Sequence, residues 1–185
     1  STHNTINMNE SKSLSDKQEV WENLRDYAKE LSYEHEGHIL PTIIAKRYLP
    51  IVKNFEVRHD DIFLITFPKS GTTWMQNIIT LMMEDGKEPN NTHLFRKVPF
   101  LEMPQSMSYK TCDTSPGMYE IAANKKSPRI LKTQLPMALL PTQLKEKKPK
   151  IIYVARNPKD SAVSYFNFCS LSDNLTTYRN WSDFF

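Results

Sequence analysis

The pattern of apolar and polar positions along the chain predicts strands that alternate with helices. Apolar runs of strand length occur at residues 60–67 (DDIFLITF), 128–133 (PRILKT) and 150–156 (KIIYVAR). After the first run, apolar residues follow at helical spacing from Thr72 to a stop at Gly86, and DSAVSYFNF continues the third run into a second helix. This alternation is typical of α/β proteins, so we predict a parallel β-sheet flanked by helices, with residues 60–67 as a buried strand.

The rest of the chain divides into a tail, a looser region and a long connection. Residues 1–13 are polar and predict a disordered N-terminal tail, and residues 14–185 predict one domain. Within that domain, a capping-box pattern opens a helix over residues 15–31, and a looser region follows through two prolines. Residues 87–128 predict an irregular connection with short helical pieces, whose length favours a role in binding.

Composition and charge exclude several classes of function. Hydrophobic residues make up 39% of the chain and charged residues 24%, as in ordinary globular domains. A net charge of +3 without a run of five basic residues argues against nucleic acid as a partner. The polar start contains no signal core or membrane span, and Cys112 and Cys169 have no metal-binding spacing. We therefore expect a cytoplasmic protein with reduced thiols and no bound metal or membrane.

The segment ITFPKSGTTWMQ predicts a strand, a tight loop and the start of a helix. It differs from the nucleotide-triphosphate loop G-x-x-x-x-G-K-[ST], because Lys69 precedes Gly71, the only glycine of this segment. The N-terminus of a helix presents unpaired N–H groups and attracts anions. Gly71 would let the backbone approach an anion, while Ser70, Thr72 and Thr73 would donate hydrogen bonds and Lys69 would add charge. The structural alternative is a capped helix with an exposed lysine.

A second candidate for anion binding follows the third predicted strand. Arg156 ends this strand, and Ser164 lies eight residues further on in the next helix. A guanidinium group suits bidentate contacts with phosphate, although an arginine at a strand end often makes only a surface ion pair. Two anion sites after two parallel strands suggest a ligand that carries two separated phosphate-like groups.

These motifs resemble those of the cytosolic sulfotransferases. FPKSGTTW is similar to their 5′-phosphosulfate loop and RNPKDSAVSYFNF to their 3′-phosphate motif, and KVPFLEM and SPRILKTQLPMALLP follow the order of the family. The resemblance covers roughly residues 39–185. It implies a P-loop-like sulfotransferase fold and 3′-phosphoadenosine 5′-phosphosulfate (PAPS) as donor. It also implies a small acceptor, which would be a phenol, an alcohol, a steroid or an amine.

The resemblance also implies roles for single residues. It places Lys69 next to the charge of the leaving phosphate and Lys132 next to the sulfuryl group. It assigns Arg156 and Ser164 to the 3′-phosphate. The remaining assignments are the 5′ group for Ser70, Gly71, Thr72 and Thr73, adenine stacking for Trp74, and the wall of the acceptor pocket for Phe100 and Phe168. From the sequence alone, Trp74 is equally compatible with a core position, and for Phe100 and Phe168 a core position is the more common one.

Gln134 departs from the family pattern at the position of the catalytic base. The family has K-T-H-L-P, whereas this chain has Lys132, Thr133 and Gln134 followed by Leu-Pro. An amide cannot take a proton near neutral pH, and general-base catalysis contributes about 10²–10⁴-fold to rate. No other histidine has a clear claim to this role: His93 is the nearest candidate, and its position is more typical of a surface histidine. The alternatives are therefore an impaired or adapted sulfotransferase, an inactive protein that binds PAPS or its product, and a small-molecule P-loop kinase.

Length is the second departure from the family. The chain stops at NWSDFF, where the family continues with an R-K-G segment and a dimer motif. We therefore expect a fold that is incomplete at its C-terminus, either as a fragment or as a natural truncation. A homodimer is expected only of a full-length form.

Overall fold

The computed structural model describes residues 32–87, 93–106, 115–169, 178 and 180–184. The predicted tail and the predicted helix over residues 15–31 lie outside these ranges. The elements in chain order are β1 (Ser32–His35), β2 (His38–Pro41), α1 (Tyr48–Lys53), β3 (Ile62–Thr66), α2 (Thr72–Met83), α3 (Leu94–Lys97), α4 (Met118–Ala123), β4 (Ile130–Thr133), a 3₁₀ turn (Met137–Leu139), α5 (Leu144–Lys147), β5 (Lys150–Val154), α6 (Pro158–Cys169) and α7 (Trp181–Phe184).

A parallel sheet in the order β4-β3-β5 forms the centre of the described chain, which confirms the predicted α/β architecture. Leu64 of β3 lies opposite Lys132 of β4 on one side and Ile152 of β5 on the other. The three strands are those predicted from the apolar runs, with shorter bounds. Because the carboxyl ends of parallel strands meet at one edge, the loops after them converge there.

The two faces of the sheet bury different clusters of apolar side chains, because successive residues of a strand point to opposite faces. Phe63 and Leu131 pack on one face in the larger cluster, together with side chains of α1. Leu64 and Ile130 pack on the other face against Ile79 of α2. Helix α2, which follows the candidate anion-binding loop at residues 67–71 (the phosphate-type loop), is thus fixed on the sheet by its own apolar side.

A buried ion pair joins the segments that lead into β3 and β4. The Arg129 guanidinium donates to both carboxylate oxygens of Asp61, each at 2.7 Å, and its side chain is 1% exposed. Arg129 also donates to the carbonyl of Glu56. This bidentate pair fixes the amino ends of the two strands, at the edge opposite to the convergent loops.

The looser region expected before β3 is in fact ordered, so that prediction was wrong. It contains the antiparallel hairpin β1–β2 and the helix α1. The turn of the hairpin is Glu36-Gly37, both at positive φ, which is the geometry of a type I′ turn. Pro50 lies in the first turn of α1, where its missing N–H costs no helical hydrogen bond.

Other details of the prediction are confirmed. Helix α2 is stopped by Gly86, whose φ is +74° and whose N–H donates to the carbonyl of Leu81 at 2.8 Å. The long connection contains the short helices α3 and α4, while residues 88–92 and 107–114 lie outside the described ranges. In the described part of the chain, no helix is both long and apolar enough to cross a membrane.

Candidate functional site

The loop between β3 and α2 is held in an unusual backbone conformation. Lys69 has a φ of +65° and Gly71 a φ of +105°. A left-handed conformation costs a residue with a side chain roughly 1–2 kcal/mol, and such strain occurs most often at functional sites. The hydroxyl groups of Thr66 and Thr72 lie 2.6 Å apart and close the loop from within. The carbonyl of Gly71 accepts the first helical hydrogen bond of α2, from Met75.

Arg156 connects the two motifs that the sequence assigned to anion binding. Its Nη1 donates to the carbonyl oxygen of Lys69 at 3.0 Å, across 87 residues of chain. Arg156 itself is exposed. Ser164 is half-buried on α6, and the structure describes no hydrogen bond between it and Arg156. The motifs therefore form one surface at the carboxyl edge of the sheet.

The side chain of Lys69 packs against α6 and is not simply exposed. Its Nζ lies 4.0 Å from the centroid of the Phe168 ring, a cation–π contact, and Phe168 is 40% exposed. The neighbouring Cys169 is free and buried, and burial raises the pKa of its thiol, with the charge of Lys69 opposing this effect. Lys69 thereby links the loop to α6 through its ammonium group, and to Arg156, which precedes α6, through its carbonyl.

Trp74 does not belong to the hydrophobic core. It follows the loop in the first turn of α2 and is 70% exposed. This excludes the core position that the sequence left open, and it leaves the indole ring available to a ligand at the N-terminus of the helix. Thr73 is also exposed there, whereas Ser70 and Thr72 are buried.

Lys132 is a buried lysine at the end of β4. It is 5% exposed, and its Nζ lies 4.1 Å from the centroid of the Phe100 ring and 5.0 Å from that of Phe95. The amide oxygen of Gln76 on α2 accepts a long hydrogen bond from it, at 3.4 Å. Burial lowers the pKa of Lys132 to about 8, while the negative charge of Glu102 opposes this effect. The ammonium group is thus largely charged at neutral pH, yet loses its proton more easily than a surface lysine.

Gln134 joins the end of β4 to the phosphate-type loop. Its side-chain Nε2 donates to the hydroxyl oxygen of Thr72 at 3.2 Å, and its backbone N–H donates to Glu102 at 2.6 Å. The residue in the position of the family's base therefore contacts the loop expected to hold the donor. This contact brings the Lys132 region and the Lys69 region into one site.

The segment at residues 99–102 reaches the site because it pairs with β4. Leu101 N–H donates to the carbonyl of Lys132, and Lys132 N–H donates to the carbonyl of Pro99. These two bonds add the segment to the sheet and place Phe100 on the lysine and Glu102 near Gln134. The sequence had suggested a binding role for this long connection.

Sequence reasoning assigned no role to Glu102 or Gln76. Glu102 is fully buried, and burial raises the pKa of its carboxyl group to about 7. The available signal was a lone acidic residue inside the apolar run VPFLEM. Gln76 is 2% exposed and stands four residues after Thr72, on the buried face of α2. For Gln76, the signal was its position one helical turn after Thr72.

A cavity of about 400 Å³ opens between the loop and α6. It adjoins both anion motifs, because Ser70 and Arg156 are among its lining residues. Phe67, Tyr153 and Tyr165 supply apolar surface. Space for a ligand with aromatic and anionic parts is therefore present beside the two motifs. Phe100 and Phe168, by contrast, contact two different lysines, and no described contact joins them.

Comparison with known sequences gives a consistent result. The family model of the sulfotransferase domain matches residues 59–185. Sulfotransferase 1A1 of Rattus norvegicus is 35% identical over 156 residues, which cover 78% of this chain and 51% of the relative. Sulfotransferase 1A1 of Bos taurus is 38% identical over 138 residues, which cover 72% and 43%. The chain spans about half the length of the curated relatives it matches.

Solved structures show the same fold. A mouse sulfotransferase complexed with PAP (adenosine 3′,5′-bisphosphate) superimposes with a TM-score of 0.65 at 29% identity, over 83% of this chain and 49% of that chain. Retinol dehydratase in complex with androsterone and PAP also gives a TM-score of 0.65, at 19% identity, over 86% and 57%. The second likeness concerns the fold alone. Together they confirm the fold that the motif order implied.

Proposed function

The chain belongs to the sulfotransferase family, and we propose on this basis that it transfers a sulfuryl group from PAPS to a hydroxyl or amine of a small molecule. The observation that carries the proposal is the hydrogen bond from Arg156 to the carbonyl of Lys69. It brings two separate anion motifs together, as a donor with phosphate groups at both ends of a nucleoside requires. The proposal includes a cytoplasmic location, no metal, and a homodimer in the full-length form.

The residues present suit this donor. The loop offers the N-terminus of a twelve-residue helix, two positive-φ positions and the charge of Lys69 to a 5′ phosphosulfate group. Arg156 and Ser164 would hold the 3′-phosphate, and the exposed Trp74 would stack on adenine. When bound, PAPS supplies an electrophilic sulfur and a phosphate leaving group.

Lys132 is the residue best placed to neutralise charge on the transferred group. The Phe100 ring and the Gln76 amide hold its Nζ at the end of β4, close to the segment that contacts the loop. A pKa of about 8 keeps most of the side chain cationic at neutral pH. A fixed charge in a buried site stabilises developing negative charge more strongly than an exposed one. Phe100 and Phe168 would form apolar walls for the acceptor.

Gln134 determines which acceptors this chain can use. As the acceptor oxygen bonds to sulfur and the bond from sulfur to the phosphate oxygen breaks, the acceptor must lose its proton. The Gln134 amide can orient the acceptor but cannot take this proton. We therefore expect turnover to favour acidic phenols, which ionise readily, and amines over alcohols. Gln134 is also the observation that favours a second candidate, a protein that binds the nucleotide without catalysis.

Calorimetry with PAP and ATP, followed by transfer from radiolabelled PAPS, tests the proposal. We expect PAP to bind and ATP to bind much more weakly, since the kinase alternative lacks support from the motifs and the family. Labelled product should then form faster with acidic phenols than with steroids or alcohols. Nucleotide binding without product on any acceptor would favour the non-catalytic candidate. Absence of PAP binding would contradict both.

A further inference from the structure

Glu102 is a fully buried carboxyl group that the proposed chemistry does not use directly. Its Oε1 accepts the backbone N–H of Gln134 at 2.6 Å. Its Oε2 accepts no hydrogen bond of normal geometry from any described residue, although its own backbone N–H and the Thr133 hydroxyl act to lower the carboxyl pKa. A buried acidic group with one unsatisfied oxygen is costly, so its presence beside the reactive residues calls for a physical reason.

The charges around this carboxyl group are few. Among the described residues, Lys132 and Glu102 are the charged groups that shift each other's pKa. The other neighbours of the Lys132 ammonium group are the Phe95 and Phe100 rings and the neutral amide of Gln76. The protonation of this lysine therefore depends on burial, which favours the neutral form, and on Glu102, which favours the cation.

The same carboxyl group also holds the backbone at Gln134 in place. Gln134 directly follows the last residue of β4, beyond the ladder that holds Lys132. Its N–H is fixed by Glu102, while its side chain reaches the Thr72 hydroxyl. As the pH rises through about 7 and Glu102 becomes charged, this hydrogen bond strengthens, because a bond to a charged acceptor is about twice as strong as a neutral one. The anchor thus sets the position from which Gln134 contacts the phosphate-type loop.

We propose that Glu102 is a positioning residue for sulfuryl transfer: its carboxylate fixes the backbone at Gln134, and its negative charge keeps Lys132 cationic beside the transferred group. The proposal rests on the function proposed above. It assigns no proton transfer to Glu102, which does not reach the surface of the site. The carboxylate acts through the two residues on either side of Thr133.

Two substitutions separate the charge from the anchor. Glu102→Gln removes the charge and retains an oxygen that can accept the Gln134 N–H, whereas Glu102→Leu removes both. Glu146→Gln is a matched control, because its side chain is 72% exposed and lies on α5. Lys132 is titrated by NMR of ¹³C-labelled lysine in each full-length protein, with the resonance assigned by its loss in Lys132→Arg.

The NMR measurement does not require activity. In the parent, Lys132 should titrate near pH 8. In Glu102→Gln its midpoint should fall by about one pH unit, since removal of a nearby opposite charge shifts a pKa by that order. Glu146→Gln should match the parent. An unchanged midpoint in Glu102→Gln would overturn the proposal, whether or not the protein transfers sulfuryl groups.

Single-turnover rates at saturating PAPS provide the second readout. If transfer needs the Lys132 cation, a midpoint lowered by about one unit reduces the charged fraction at pH 8 about fivefold, and the rate with it. PAPS affinity should stay constant in Glu102→Gln, and the descending limb of the pH profile should move to lower pH. Glu102→Leu should be slower at every pH. A parent without transfer refutes the proposed function, whereas an active parent whose profile Glu102→Gln leaves unchanged refutes the role of Glu102.

Discussion

Burial of the Glu102 carboxyl group should make the free energy of unfolding depend on pH, and Glu102→Gln should remove this dependence. The pKa rises from the ordinary 4.5 to about 7, with burial as the largest cause and the hydrogen bond from Gln134 opposing it. That increase corresponds to about 3 kcal/mol of free energy of unfolding. For a carboxyl group without solvent exposure, no reduction for screening by water applies.

The sign follows from proton binding. Between pH 4.5 and about 7 the folded state holds the Glu102 proton and the unfolded state has lost it. Stability from this group is therefore fully present below pH 4.5 and is lost as pH rises through 7. Lys132 acts in another window: its pKa is lowered from 10.5 to about 8, so its contribution grows as pH rises between these values. A comparison of pH 5 with pH 7.5 lies below the window of Lys132 in the parent, and the lowered Lys132 midpoint in Glu102→Gln adds to the difference between the two proteins.

Equilibrium unfolding in urea at these two pH values measures the effect. From pH 5 to pH 7.5 the parent should lose about 2 kcal/mol that Glu102→Gln does not lose, because contributions of the other carboxyl groups and the histidines cancel in the comparison. Glu146→Gln, with its exposed side chain, should follow the parent. Equal losses in the parent and in Glu102→Gln would show that the Glu102 carboxyl group titrates normally and would refute the reasoning.

Three further predictions concern the residues around the loop. Gln134→His should raise transfer to phenols or alcohols by roughly 10²-fold or more and add a pH dependence near the imidazole pKa; no gain on any hydroxyl acceptor would show that proton removal does not limit the rate. Lys69→Ala should weaken PAP binding in calorimetry while the midpoint of thermal unfolding changes little, whereas Lys145→Ala on α5 should leave binding unchanged. Arg156→Ala should reduce affinity for PAP much more than for 5′-AMP, and equal losses would mean that its bond to the Lys69 carbonyl is its main contribution.

The sequence contained enough information to predict the sheet and the phosphate-type loop. Strands β3, β4 and β5 are apolar because they lie together in one sheet, and such runs are visible without knowledge of the fold. Gly71 and Gly86 marked a loop and a helix end because both adopt positive φ. Local sequence reports such features directly, since their causes lie within a few residues.

The hairpin β1–β2 was missed although its turn carries a local signal. Its first strand reads SYEH, with too many polar residues to be recognised as a strand. The sign of this two-residue turn in the sequence was Gly37, because glycine readily adopts the positive φ that such a turn requires. Polar strands in a two-stranded sheet bury little apolar surface, so the alternation of apolar and polar residues does not reveal them.

Contacts across the fold could not be predicted from the sequence. The bond between Arg156 and the Lys69 carbonyl spans 87 residues, and that between Gln134 and Thr72 spans 62. The burial of Glu102 depends on the pairing of its segment with β4, which no local pattern encodes. The motifs named most of the candidate residues, but only the fold shows which of them touch.

The pair of threonine hydroxyl groups inside the loop has a consequence for how occupancy could be detected. A hydroxyl group carries a single proton, so Thr72 can donate to Thr66 or to a phosphate oxygen but not to both. If Thr72 donates its hydrogen bond to an anion, the 2.6 Å contact remains a hydrogen bond only when Thr66 is the donor. Where Thr72 is the donor in the empty loop, anion binding would reverse this hydrogen bond. Hydrogen exchange of the Thr66 and Thr72 hydroxyl protons would report this reversal where a comparison of coordinates would show nothing.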